Sequence, residues 1–258
     1  MMRGWNRVEI EDFSPDKYRE QISDCGFWIY YFRKMNKKFW LALYGFVLCA
    51  DLLAVYSEKE TLRNFTKPLL MPLLIVFLLV SVSSVYSSLK KWIVLALLFS
   101  WAGDVLLMFE PVNGNFFIYG LVAFLLAHVF YILFYENIIR RQKIKRNHWL
   151  SLLVLIYYVF LMWILTPHLG EMKWPVWMYG LVISVMLMQA LQTSKIKNQT
   201  AARLLISGAV LFIASDSILA INKFYKPFEL AGVTVMLTYG IAQLLIALGA
   251  RRYIVSAS

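Results

Sequence analysis

The chain has 258 residues, of which 60% are hydrophobic and 16% charged, with a mean hydropathy of +0.63. Soluble domains run nearer about 45–50% apolar and about 25% charged, so the composition excludes a soluble globular protein and describes an integral membrane one. The formal net charge of +11 lies in short loops between apolar runs, where membrane insertion and anionic headgroups account for it, and it does not indicate a nucleic-acid partner.

In chain order, residues 1–34 come first, mixed in charge and without a long apolar run or the core of a signal peptide. They are expected to be a cytoplasmic N-terminal extension, or a mis-assigned start ahead of Met35, with the aromatic alternation at 27–32 suited to the membrane interface. Residues 35–258 are expected to form an all-α, polytopic bundle of eight transmembrane helices. Apolar runs of membrane-spanning length, about 17–25 residues, lie at 39–56, 69–87, 92–109, 116–135, 149–165, 175–191, 203–221 and 231–250. Pro167, Gly170 and Pro175 crowd the junction of the fifth and sixth. Cys25 and Cys49 are too few for a disulfide framework and lack metal-site spacing, and Cys49 reads as a small packing residue.

Charge orients the bundle. The N-terminal segment holds eight Lys/Arg, the loops after spans two, four and six hold two, five and three, and the C-terminal tail holds two. The opposite loops hold three, none, one and two. By the positive-inside rule both termini are cytoplasmic.

Ionisable residues inside a span are costly, about 2.5–3.5 kcal/mol for a central Asp on the insertion scale, and mark function. Asp51, Asp104 and Asp216 follow Phe39, Trp92 and Leu204 by twelve residues each. At 1.5 Å per residue, all three lie about 18 Å into outward-running helices, a little beyond the midplane. Three carboxylates at one depth point to a shared polar cavity. His128, Tyr131 at i+3 from it, and Gln243 fall near the same level. Lys67 opens span two on the outer side, with Pro68 suited to a first helical turn; its ammonium either turns toward the aspartates or snorkels to headgroups.

Each of these has a bland alternative. Asp51 reads equally as a structural partner of Lys67, His128 as a hydrogen-bonded packing residue, and Gln243 as helix-to-helix glue. Asp104 and Asp216 read as functional, because Ala102-Gly103 and Ala214-Ser215 beside them let a second helix or a substrate approach closely. The stretches Ala102–Leu107 and Ala214–Leu219 also match in pattern, and each precedes a span with a Tyr-Gly pair, Tyr119-Gly120 and Tyr239-Gly240. A 4+4 parallel internal repeat would produce this, although Tyr-Gly also occurs at 44–45 and 179–180.

Over residues 39–250 the chain resembles the YhhN family of membrane proteins, which includes the lysoplasmalogenases. The resemblance rests on Lys67-Pro68-Leu69 with Pro72-Leu73-Leu74, and on Leu97-Leu98-Phe99-Ser100-Trp101-Ala102-Gly103-Asp104-Val105-Leu106-Leu107-Met108. It continues through Gly120-Leu121, Phe124-Leu125-Leu126-Ala127-His128, Ala214-Ser215-Asp216-Ser217, Tyr239 and Ala242-Gln243-Leu244-Leu245-Ile246. The resemblance implies an eight-helix enzyme that hydrolyses the vinyl-ether bond of lysoplasmalogens to a fatty aldehyde and a glycerophospho head group. It implies no metal or organic cofactor, a lysophospholipid substrate, membrane lipids as surroundings and residence in a bacterial inner (cytoplasmic) membrane. Asp104 and Asp216 match the intramembrane aspartates expected to be catalytic.

The residues suit that chemistry. A vinyl ether hydrolyses when its β-carbon is protonated, giving an oxocarbenium ion that water attacks. One carboxyl must therefore carry a proton, which apolar surroundings and a neighbouring carboxylate both favour, while the second stabilises the cation and takes a proton from water, as in glycosidases. Ser215 and Ser217 beside Asp216 suggest hydrogen bonds to its ionised form, hence Asp104 as acid and Asp216 as base. Lys67, Asp51, His128, Tyr131, Ser215, Tyr239 and Gln243 are the expected lining, with Lys67 meeting the substrate phosphate near the outer interface. A proton-coupled transporter and a lipid-binding membrane protein are the alternative readings of the same aspartates. Ester hydrolysis is disfavoured, since there is no Gly-x-Ser-x-Gly elbow and no paired Ser and His motif.

Overall fold

The structure is a computed structural model and describes residues 37–83 and 87–257; the expectations for residues 1–34 lie outside it. The described residues form eight long helices: α1 (Lys37–Tyr56), α2 (Glu60–Ser81), α3 (Leu89–Met108), α4 (Asn115–Arg141), α5 (His148–Leu165), α6 (Lys173–Gln192), α7 (Gln199–Ala220) and α8 (Ala231–Ser256). All eight are long and apolar enough to cross a membrane, so the chain is an integral membrane protein whose described residues are all-helical in fold. At the crowded junction of α5 and α6 the chain makes two short 3₁₀ turns, Thr166–His168 and Gly170–Met172, with Gly170 at φ +50°.

One span differs clearly from the sequence expectation. The apolar run of α2 was expected at 69–87, but the helix runs from Glu60 to Ser81. The charged stretch before it is helical because α1 ends in a tight Schellman-type turn. Glu58 takes a left-handed conformation (φ 54°), its N–H donates to Val55 O at 3.3 Å, and Lys59 N–H donates to Ala54 O at 2.9 Å. The chain is thereby turned directly into α2, and Glu, Lys and Arg are good helix formers. Lys67 and Pro68 consequently lie inside the helix and do not open it. Pro72, without an N–H, frees the carbonyl of Pro68, and Trp101 of α3 donates its indole Nε1–H to that oxygen at 2.9 Å.

Small residues set the closest helix contacts. A Cβ on Gly208 of α7 would lie 2.6 Å from Ile246 Cγ1 and 2.9 Å from the Ala242 carbonyl of α8. One on Gly103 of α3 would meet the Phe124 ring of α4 at 2.6 Å. Helix α5 is the outlier, burying only Val154, Met162 and Leu165 and turning Trp149, Phe160 and Trp163 outward. Cys49, expected as a packing residue, is exposed on the outer face of α1. The side chains give the expected internal repeat no support: Tyr119, which it would pair with buried Tyr239, is exposed.

Replacing Gly208 by Ala forces α7 and α8 apart and is expected to cost about 1–3 kcal/mol of stability, read as a lower unfolding temperature in detergent. The same change at Gly45, where a Cβ meets nothing within 4 Å, is expected to leave that temperature in place.

Candidate active site

Each of the three aspartates stands near the C-terminal end of its own helix. Asp51 is five residues before Tyr56, Asp104 four before Met108 and Asp216 four before Ala220, which puts them about 6–8 Å from those ends at 1.5 Å per residue. At that end of the bundle lies a cavity of about 300 Å³, walled by α2, α3, α4, α6, α7 and α8. Asp104 and Asp216 both face it.

Asp104 is held from two sides. The Tyr239 hydroxyl of α8 donates to its Oδ2 at 2.7 Å, and Lys67 Nζ of α2 lies 3.8 Å from its Oδ1. Gly103 makes this possible by letting the Phe124 ring lie against α3. That ring in turn meets Tyr239 edge-on at 5.9 Å and steers its hydroxyl. Asp216 accepts a hydrogen bond from the Tyr179 hydroxyl of α6, and His128 Nε2 of α4 lies 3.8 Å from the same carboxylate oxygen. The imidazole is fixed in orientation: its Nδ1 lies 2.5 Å from the Phe124 carbonyl, which can only accept, so Nδ1 carries the hydrogen. Phe212 and Tyr179 flank the ring edgewise at 4.8 and 5.4 Å. The Nε2 atom is buried without a hydrogen-bond partner and is turned toward Asp216.

One helical turn below, the site is closed by a polar floor. Gln243 donates through Nε2 to Ser100 Oγ at 3.0 Å and accepts from the Tyr131 hydroxyl at 2.5 Å. At the opposite end the cavity opens past Arg63, Asn222 and the Glu110–Lys223 ion pair. Among the described residues, no three His, Cys, Asp or Glu side chains are grouped as a metal site would need.

Of the residues expected to line the site, Asp104, Asp216, Lys67, Ser215 and Tyr239 do so. His128 reaches it through Asp216. Tyr131 and Gln243 lie in the floor, away from the cavity wall. Asp51 is fully buried off the cavity, and its partner is not Lys67: the Thr66 hydroxyl donates to its Oδ1 at 2.7 Å, while the Lys67 ammonium goes to Asp104. The serines beside Asp216 also bond elsewhere. Ser215 donates to the Val235 carbonyl at 3.0 Å, and Ser217 to the Ile213 carbonyl at 2.5 Å. Tyr179, Arg63 and the Glu110–Lys223 pair were not anticipated. Tyr179 carried the one available signal, a Tyr-Gly pair like that of Tyr239; Arg63 was hidden by the late start assigned to span two.

The chain matches the YhhN family over residues 62–250 and belongs to that family. It is 34% identical over 164 residues to the lysoplasmalogenase of Mycobacterium bovis, covering 62% of this chain and 60% of that protein, with the same figures for the lysoplasmalogenase of Mycobacterium tuberculosis. It is 33% identical over 157 residues to lysoplasmalogenase TMEM86B of Rattus norvegicus, covering 61% and 60%. The chain thus spans about 60% of the length of the curated relatives it matches. No solved structure matches it.

Substituting Thr66 by Val leaves both oxygens of buried Asp51 without a donor. The expected cost is about 1–3 kcal/mol, read as a lower unfolding temperature in detergent, whereas Thr66→Ser restores the hydroxyl and most of the stability.

Proposed function

We propose that this chain hydrolyses the vinyl-ether bond of lysoplasmalogens, releasing a fatty aldehyde and glycerophosphoethanolamine or glycerophosphocholine. The carrying observation is the pair of carboxylates, Asp104 and Asp216, facing one cavity at the end of the bundle. The names of the relatives, all lysoplasmalogenases, supply the substrate class.

The two carboxylates differ in their surroundings, and the difference assigns their roles. Lys67 balances the charge of Asp104, which suits an ionised group. Among the described residues no ammonium or guanidinium lies within ion-pair distance of Asp216, and it faces the bare nitrogen of His128. Two acceptor atoms turned toward one another are satisfied when a proton sits on one of them. Asp216 also leaves 15% of its side chain exposed against 4% for Asp104, so it presents more of its carboxyl to a bound chain. We therefore take Asp216 as the acid and Asp104 as the base, reversing the assignment from the neighbouring serines.

The reaction balances with these two groups. Asp216 gives its proton to the β-carbon of the vinyl ether, and the cation formed at the ether carbon is stabilised by ionised Asp104. Water adds to that carbon while Asp104 takes one of its protons, giving a hemiacetal. As the hemiacetal collapses, Asp104 returns the proton to the departing glycerol oxygen and the hemiacetal hydroxyl reprotonates Asp216. The products are an aldehyde and an alcohol, and both carboxyls end as they began. The alkenyl chain points toward the apolar side of the cavity between α6 and α7, where a small recess shares Asp216, Tyr179, Val176 and Ala220 with it.

With both termini cytoplasmic, the mouth of the cavity faces the outer leaflet. Asn222→Cys, made with Cys25→Ser and Cys49→Ser, is then labelled by an impermeant thiol reagent on intact cells; protection until the cells are opened would reverse the orientation.

Purified protein in detergent is expected to release aldehyde from lysoplasmenylethanolamine, measured through a coupled aldehyde dehydrogenase. Asp104→Asn and Asp216→Asn are each expected to lower the rate about 100-fold or more without loss of fold. Flux of an intact lipid in proteoliposomes with no aldehyde would favour a transporter and sink the hydrolase.

A further inference from the structure

Three cations line the cavity, Arg63, Lys67 and Lys223, and three carboxylates, Asp104, Glu110 and Asp216. Two of the cations are already paired, Lys67 with Asp104 and Lys223 with Glu110. Arg63 is not. No carboxylate among the described residues lies within ion-pair distance of its guanidinium, and its Nε, buried from solvent, has no hydrogen-bond partner. Asp51 does not meet this need: its Oδ2 is free of donors, but neither of its oxygens comes within ion-pair distance of the guanidinium, so its charge acts on Arg63 only at longer range. A buried N–H on a cation, left without an acceptor beside a cavity, is costly unless a ligand supplies one.

Arg63 stands one turn before Lys67 on α2, so the two side chains share a face. From the ion pair at Asp104, that turn leads about 6 Å outward toward the mouth. A guanidinium fork takes a phosphate through two parallel hydrogen bonds, and a lysine adds a point charge. In a lysoplasmalogen, seven bonds separate the phosphorus from the β-carbon, about 9 Å when extended. A phosphate on Arg63 therefore leaves the vinyl ether at the level of the carboxylates.

We infer that Arg63 is the anion-binding residue of this cavity and seats the phosphodiester of the lysophospholipid head group, with Lys67 beside it. The inference rests on the hydrolase reading and deepens it. It also moves the phosphate from Lys67, the sequence-based choice, to a residue whose charge is unspent.

The test uses the full chain in detergent, as wild type, Arg63→Gln and Arg63→Lys, with two vinyl ethers: lysoplasmenylethanolamine and the phosphate-free 1-alkenylglycerol. Arg63→Gln is expected to lower kcat/KM for the phospholipid by about tenfold or more beyond its effect on the alkenylglycerol, mainly through KM, and Arg63→Lys is expected to recover part of the loss. An equal effect on the two substrates would overturn the inference. Binding is read separately as thermal stabilisation by saturated analogues that cannot be cleaved, 1-O-hexadecyl-lysophosphocholine and 1-O-hexadecylglycerol. Phospholipid-specific stabilisation that Arg63→Gln abolishes would support the phosphate site even if wild type cleaved nothing, in which case only the hydrolase reading fails. Arg63-dependent stabilisation by inorganic phosphate as large as that by the lysolipid would mark a general phosphate site and overturn the head-group assignment.

Discussion

A carboxylate removed from water among apolar helices must be given hydrogen-bond donors, or it destabilises the bundle that holds it. Three aspartates meet that condition in the same way, each through a hydroxyl from a different helix. Thr66 of α2 serves Asp51 of α1, Tyr239 of α8 serves Asp104 of α3, and Tyr179 of α6 serves Asp216 of α7. The bonds that make the charges tolerable are thus also bonds between helices. Asp51, off the cavity and bonded only to Thr66, has the structural half of this role alone. Asp104 and Asp216 keep further faces open to the cavity, where their acceptors remain available for chemistry.

Close helix packing and the site share residues. Gly103 permits the approach of Phe124, whose ring orients Tyr239 and whose backbone carbonyl fixes the tautomer of His128. One residue of α4 therefore organises the surroundings of both carboxylates, although it touches neither through a hydrogen bond. Below it, the Ser100–Gln243–Tyr131 network joins α3, α8 and α4 and closes the cavity toward the interior. The paired and unpaired cations stand together at the end of the cavity away from that floor, and an amphiphile with an anionic head fits that polarity.

Two residues of the same type acquire different properties because their neighbours differ. A lysine beside Asp104 and a bare imidazole nitrogen beside Asp216 set the carboxyls apart, and paired groups with unlike surroundings are what acid and base catalysis by two carboxyls requires. Neither neighbour is near its aspartate in the chain, and the adjacent serines, which are, bond to backbone carbonyls instead.

Composition and apolar run length determined the membrane class, the eight long helices of the described residues and, apart from α2, their bounds to within six residues, because insertion depends on summed transfer energy along the chain. Asp104 and Asp216 were legible for the same reason: a charge in such a run stands out whatever surrounds it. The start of α2 was not, since a helix continues through charged residues once a tight turn has set its direction. Nor were Tyr179 and Arg63, the partner of Lys67, or the burial of Asp51 away from the cavity. Those depend on how each helix is rotated about its axis. In a soluble protein the contrast of polar and apolar faces encodes that rotation, but lipid is as apolar as the core of a bundle, so little of it is written in the pattern of side chains. Only the packed tertiary structure, through the glycines and hydroxyls that bring the helices together, decided which side chains meet.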